Sequence, residues 1–129
     1  MVMTIAPTLN EQQSTEGFVP HAPFAPAISR DDAVEQGRLL KVLGDSTRLQ
    51  MLSLLARHGG TISVEEIVQC FALEQPTISH HMRLLRDAGL VDCQKRGLNA
   101  YYFIRPKAQE KVQQAIETIT TLFSLSPVF

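Results

Sequence analysis

The 129-residue sequence predicts a mainly α-helical domain carrying one small β-hairpin. Three observations predict it. From Arg30 onward, apolar residues recur mostly at steps of three and four, the spacing that gathers them on one side of a helix. Start and stop signals (Ser29, Asp45, Ser63 and Pro76; Gly44, Gly59-Gly60 and Gly89) divide that stretch into short helices. Between Val91 and Ile104 the pattern changes to two short runs rich in β-branched and aromatic residues, flanking Gly97-Leu98-Asn99.

Taken in order, residues 1–28 hold four of the seven prolines (Pro7, Pro20, Pro23, Pro26), few charges and no helical period, so they are expected to form a flexible arm before a domain spanning residues 29–125. A first helix starts at Ser29, where Ser-Arg-Asp-Asp supplies an N-cap and acids in the first turn. Ala33, Gly37, Leu40 and Leu43 share one side of it, and Gly44 ends it. Asp45 or Ser46 caps a second helix to about His58, with Leu49, Leu52, Leu55 and Ala56 as the expected buried stripe. Thr61-Ile62 is a short extended stretch, and Ser63-Val64-Glu65-Glu66 fits a capping box opening a third helix to about Phe71. Gln75-Pro76 starts the fourth, with proline where its missing N–H costs nothing, and Ala88-Gly89 ends it. Strands at Val91–Lys95 and Ala100–Ile104 follow. Pro106 opens a last helix on which Ala108, Val112, Ala115, Ile119 and Leu122 form a stripe. The order α-α-α-α-β-β-α places a short helix, a turn and a second helix just before a two-stranded wing, which is a winged helix-turn-helix.

Composition narrows the function. The chain is 44% hydrophobic and 19% charged, ordinary for one soluble domain, and no apolar run approaches the roughly 20 residues that span a bilayer. Met1 to Asn10 lacks the basic start and apolar core of a secretory signal, so the cytoplasm is the expected compartment and no membrane association is expected. Two cysteines are too few for a disulfide framework. The net charge of −1 conceals a polarised distribution: from Pro76 to Lys107 six cations (Arg83, Arg86, Lys95, Arg96, Arg105, Lys107) face two acids (Asp87, Asp92), a local charge of +4.

That basic stretch coincides with the surface suited to the major groove of double-stranded DNA. On the fourth helix Ile78, Met82 and Leu85 fall in one narrow arc and face the core. The other side carries Ser79, His80, Arg83, Arg86 and Asp87, with Thr77 at a flank. Gln75 can pair bidentately with adenine, Thr77 and Ser79 can donate or accept at base edges, and His80 can reach a base or a phosphate. Arg83 and Arg86 suit phosphate, as do Lys95 and Arg96 at the wing tip beside Gly97 and Asn99. On spacing alone a solvated polar helix face would explain the fourth helix equally well; the basic wing tip decides for DNA. His81 lies only about 60° from the apolar arc and is read as a partly buried structural histidine. No catalytic residues are expected: the sequence has no phosphate-binding glycine loop, no His-Glu-x-x-His and no nucleophile with a base and orienting group. Ser79-His80-His81 does not qualify, because helix neighbours point in different directions.

Leu43-Gly44-Asp45-Ser46-Thr47-Arg48-Leu49, the run from Gln75-Pro76-Thr77-Ile78-Ser79-His80-His81 to Gly89-Leu90-Val91, and Gly97 with Tyr101-Tyr102 together resemble the ArsR/SmtB family of bacterial repressors over residues 31–122. The resemblance implies a homodimer through the first and last helices, a palindromic DNA operator, and release of that DNA when an inducer binds. It places Gln75, Thr77, Ser79 and His80 at DNA-reading positions. It does not extend to the family's metal sites. Where the arsenic and antimony type carries a Cys-Val-Cys core, this chain has Ser63-Val64-Glu65, and neither serine nor glutamate replaces the thiolate a soft metalloid requires. The zinc type uses Asp and His on the last helix, and Lys107 to Leu125 contains no His, Cys or Asp. No metal site and no cofactor are therefore expected, and the inducer stays unidentified. His21, His58, Cys70 and Cys93 are scattered, and the two cysteines are read first as small buried apolar residues. A thiol- or metal-responsive sensor using Cys70 or Cys93 remains open as an alternative, as does a winged-helix module that binds another protein.

Overall fold

A computed structural model describes residues 24–125. Residues 1–23, which hold most of the expected N-terminal arm together with His21, lie outside the described residues. Five helices and three strands follow in order: α1 (Arg30–Leu43), α2 (Ser46–His58), β1 (Ile62–Ser63), α3 (Val64–Cys70), α4 (Gln75–Asp87), β2 (Val91–Arg96), β3 (Asn99–Ile104) and α5 (Ala108–Ser124). This is a mainly helical winged helix-turn-helix, as the sequence predicts, with one addition. The extended stretch before α3 is a third strand, and the antiparallel sheet has the order β1-β3-β2.

Local chemistry sets the helix starts. The Asp32 backbone N–H donates to Ser29 Oγ at 3.1 Å, and the Arg48 N–H to Asp45 Oδ2 at 3.0 Å, which settles Asp45 as the cap of α2. At α3 the capping box closes in both directions, Glu66 N–H to Ser63 Oγ at 3.1 Å and Ser63 N–H to Glu66 Oε1 at 3.0 Å. Each bond satisfies a backbone donor that the helix itself cannot. These donors hold the Asp45 and Glu66 carboxyls below their ordinary range: the Arg48 N–H does most for Asp45, the Ser63 N–H and then the Ser63 hydroxyl for Glu66. The Gly59 backbone is left-handed (φ 74°) and ends α2, its N–H donating to Leu55 O at 3.1 Å.

The core gathers under α4. Ile78, Met82 and Leu85 are fully buried, on the arc the spacing predicts, and pack with Met51, Leu55, Ile67, Leu90 and Val91. Two predicted stripes are corrected. On α1 the buried residues are Leu39 and Val42, whereas Ala33, Gly37 and Leu40 are exposed and Leu43 is half-buried. On α2 they are Met51 and Leu55; Leu52 is half-buried, and Leu49 and Ala56 are exposed. Both helices carry adjacent apolar residues (Leu39-Leu40, Leu54-Leu55), so several stripes satisfy the same period, and contacts with the rest of the chain choose one. On α5 only Ala108 and Ala115 are buried, with Val112, Ile119 and Leu122 half-buried.

The wing is one residue longer at each end of its turn than predicted. Arg96 pairs with Asn99, so Asn99 belongs to β3 and the turn is Gly97-Leu98 alone. Gly97 takes φ 64°, a backbone conformation with little penalty only for glycine. β3 also pairs with β1, Ile62 opposite Tyr102 and Ser63 opposite Tyr101, which fixes the root of the wing to the residues that start α3.

Candidate nucleic-acid interface

Because Ile78, Met82 and Leu85 turn one side of α4 into the core, the other side faces outward. Gln75, Thr77, His80, Arg83 and Arg86 are exposed and Ser79 is half-buried. Pro76 stands in the first turn, where its missing N–H costs nothing, and the short side chains of Thr77 and Ser79 follow it. Lys95 and Arg96 are exposed at the far end of β2, with half-buried Asn99 across the turn. All nine residues singled out for DNA therefore lie on two elements, the outer side of α4 and the tip of the hairpin.

Neighbours hold several of these side chains in place. The Arg83 guanidinium lies 3.1 Å from His80 Nδ1, one helical turn away. Arg96 donates to Gln94 Oε1 at 3.1 Å and stacks over the Tyr101 ring, 4.8 Å from its centroid, so its charge is aimed along the wing. Arg86 turns away from the N-terminal half of α4. Its Nε lies 3.3 Å from Asp92 Oδ1 and its NH1 3.5 Å from Cys93 Sγ. The other Asp92 oxygen takes Arg105 NH2 at 3.4 Å.

His81 fits its structural reading. It is half-buried, and its Nδ1 accepts from Arg48 NH1 at 3.2 Å while Arg48 Nε donates to Val42 O at 2.7 Å. Arg48 thus ties the end of α1 and the start of α2 to α4. Sequence reasoning missed this residue, although it sits in the Gly-Asp-Ser-Thr-Arg run, and it also missed the bridging role of Asp92 and Arg105. The acid's position inside an otherwise basic stretch was the available signal.

The expectation that both cysteines are small buried apolar residues is corrected. Cys70 is exposed, its thiol 3.4 Å from Glu66 O, and Cys93 is half-buried on β2 opposite Tyr102. Short α3 sets its inner side by Val64, Ile67 and Phe71, which leaves Cys70 beside that side rather than in it. Burial, and secondarily Cys93, pushes the Tyr102 phenol up. In the Ser63-Val64-Glu65 run expected in place of the metalloid cysteines, Ser63 is engaged in the capping box with Glu66 and Glu65 is exposed. Among the described residues no three His, Cys, Asp or Glu side chains converge on a common point. No described helix is long and apolar enough to cross a membrane.

The sequence profile of the bacterial regulatory protein arsR family matches residues 45–92, the span from the cap of α2 to the start of β2. An HTH-type transcriptional regulator of Methanocaldococcus jannaschii is 37% identical over 84 residues, 65% of this chain and 90% of that protein. The arsenical resistance operon repressor of Staphylococcus aureus is 34% identical over 87 residues, covering 67% of this chain and 82% of its own. Among solved structures, HlyU from Vibrio cholerae superposes with a TM-score of 0.55 at 26% identity over 66% of this chain and 91% of its own. An ArsR-like regulator from Rhodococcus shares the fold, with a TM-score of 0.62 at 22% identity over 73% of this chain and 84% of its own. With its buried α4 arc, capped α3 and basic hairpin, the chain belongs to the ArsR family of bacterial regulatory proteins and is a winged helix-turn-helix, DNA-binding transcriptional regulator.

Proposed function

We propose that this protein is a homodimeric repressor that acts in the cytoplasm, binds a palindromic operator and leaves it when an inducer binds. Residues 29–125 form its DNA-binding and dimerisation domain. The observation that carries this reading is the outward side of α4, where Gln75, Thr77, Ser79 and His80 form a polar surface continuous with Arg83 and backed by the cationic wing tip. The first four residues read bases in the major groove. Arg83, Lys95 and Arg96 hold phosphate, with Asn99 beside them, and Arg86 joins them when it gives up Asp92. Apolar residues left exposed on the outermost helices support the dimer: Val34 and Leu40 on α1, Ile116 and Phe123 on α5. Two half-sites then lie about one DNA turn apart. Relatives named as repressors, the arsenical resistance operon repressor of Staphylococcus aureus and the biofilm growth-associated repressor of Agrobacterium fabrum, support repression rather than activation. The role is binding and not catalysis.

The inducer is not a soft metalloid held at this position, because Ser63 and Glu65 stand where thiolates would be needed and supply none. A thiol-responsive version is favoured by one observation, the exposed thiol of Cys70 with Cys93 against Arg86. Operator affinity unchanged by oxidant or persulfide removes it.

Fluorescence anisotropy with duplexes tiled across the native promoter tests the main reading. One inverted repeat is expected to bind far more tightly than the others, and affinity should fall steeply as salt rises through counterion release. Equal binding to every duplex in dilute buffer overturns it.

A further inference from the structure

The Asp92 carboxylate faces both Arg86 and Arg105 and divides its two oxygens between them. Arg86 belongs to the last turn of α4, Asp92 to β2, and Arg105 to the link between β3 and α5. The ion pairs measure 3.3 Å and 3.4 Å, one to each oxygen. Asp92 Oδ1 also accepts the Cys93 N–H at 2.9 Å, which fixes the carboxylate against its own backbone. The Arg105 N–H donates to Leu90 O at 3.0 Å, so the backbones flanking the pair are joined as well. The Asp92 side chain is 31% exposed, while Arg86 and Arg105 are 53% and 48% exposed.

We propose that Asp92 restrains DNA binding for every base sequence alike by withholding Arg86 and Arg105 from phosphate. The proposal rests on the DNA-binding reading above. Ion pairs this open contribute little to stability, so stability does not account for the arrangement. Its effect on a polyanion is larger. An arginine that leaves Asp92 for a phosphate strands a carboxylate close to the DNA charge, and this penalty is the same for every base sequence. Contacts from Gln75, Thr77, Ser79 and His80 lie toward the other end of α4 and do not carry it. Asp92 therefore subtracts from the electrostatic share of binding and leaves the base-reading share intact, so it lowers operator and random-sequence affinity by the same factor.

Asp92→Asn removes the charge and keeps an oxygen for the Cys93 N–H. Binding of the full chain to its preferred duplex and to a random duplex is measured over a salt series. Circular dichroism verifies folding, and Asp92→Ser serves as a second charge-removing variant. The expected result is binding to both duplexes tighter by roughly three- to tenfold, a salt slope steeper by about 1, and an unchanged operator preference. Adding Arg86→Gln to Asp92→Asn should bring the slope back toward the wild-type value. A wild type that binds DNA and an unchanged salt slope in both Asp92 variants, whatever their affinity, overturn the proposal and leave the DNA-binding reading standing. A wild type that binds no duplex removes both.

Discussion

Ser63 is a polar residue with almost no exposure, and its surroundings explain why it is tolerated there: both halves of the capping box are made. Ser63→Ala leaves the Glu66 N–H without its partner and is expected to lower stability by about 1 kcal/mol in urea unfolding. Glu66 and Asp45 extend the same reasoning to pH. Both folded carboxyls titrate below their ordinary values of 4.5 and 3.8. Their contribution is therefore present above those values and is lost as pH falls through the lower folded ones. Urea midpoints taken through the acid range should drop less steeply in Glu66→Gln than in wild type. At His81, a Nδ1 that accepts from Arg48 requires the ring hydrogen on Nε2, and nitrogen-15 NMR of the imidazole should find that tautomer. The inward lean of His81 was legible from its angle to the apolar arc. Its partner was not, because the two residues are 33 positions apart and helical periodicity carries no information across that distance.

Among the elements, α4 was the most readable because its single apolar arc faces an almost wholly polar remainder, so only one orientation buries it. α1 and α2 offered rival arcs, and the choice between them depends on neighbours the sequence does not order in space. β1 was legible only as a short extended stretch, and its pairing escaped for a related reason. Two residues carry no alternation to detect, and Ile62-Ser63 become a strand only when Tyr101-Tyr102 arrive beside them. The positions of the proposed DNA-facing side chains followed directly from α4, whereas the Arg86–Asp92–Arg105 bridge needed the hairpin folded back onto the helix. Two substitutions test these assignments. Leu85→Ala should cost 2–5 kcal/mol by urea unfolding, roughly the range for emptying a sealed apolar site. Gly97→Ala meets no atom within 4 Å but must hold φ 64°, so it should cost about 1 kcal/mol and disturb the wing turn.

For the whole molecule, the exposed apolar residues on α1 and α5 predict a dimer. Light scattering should report twice the chain mass at micromolar concentration, and Leu40→Arg combined with Ile116→Arg should give a folded monomer with weakened operator binding. A wild-type monomer contradicts the assignment. The sheet order β1-β3-β2 has a further consequence for chains crowded together in a cell. β2 is an outer strand, and its six residues present one row of backbone groups with no strand beside them. Such a rim is a template on which another copy could zip up into insoluble cross-molecular ribbons. Lys95 and Arg96 sit on that rim, so mutual repulsion between copies keeps it unjoined. The charges proposed to grip an operator would also act as gatekeepers that keep the protein in solution.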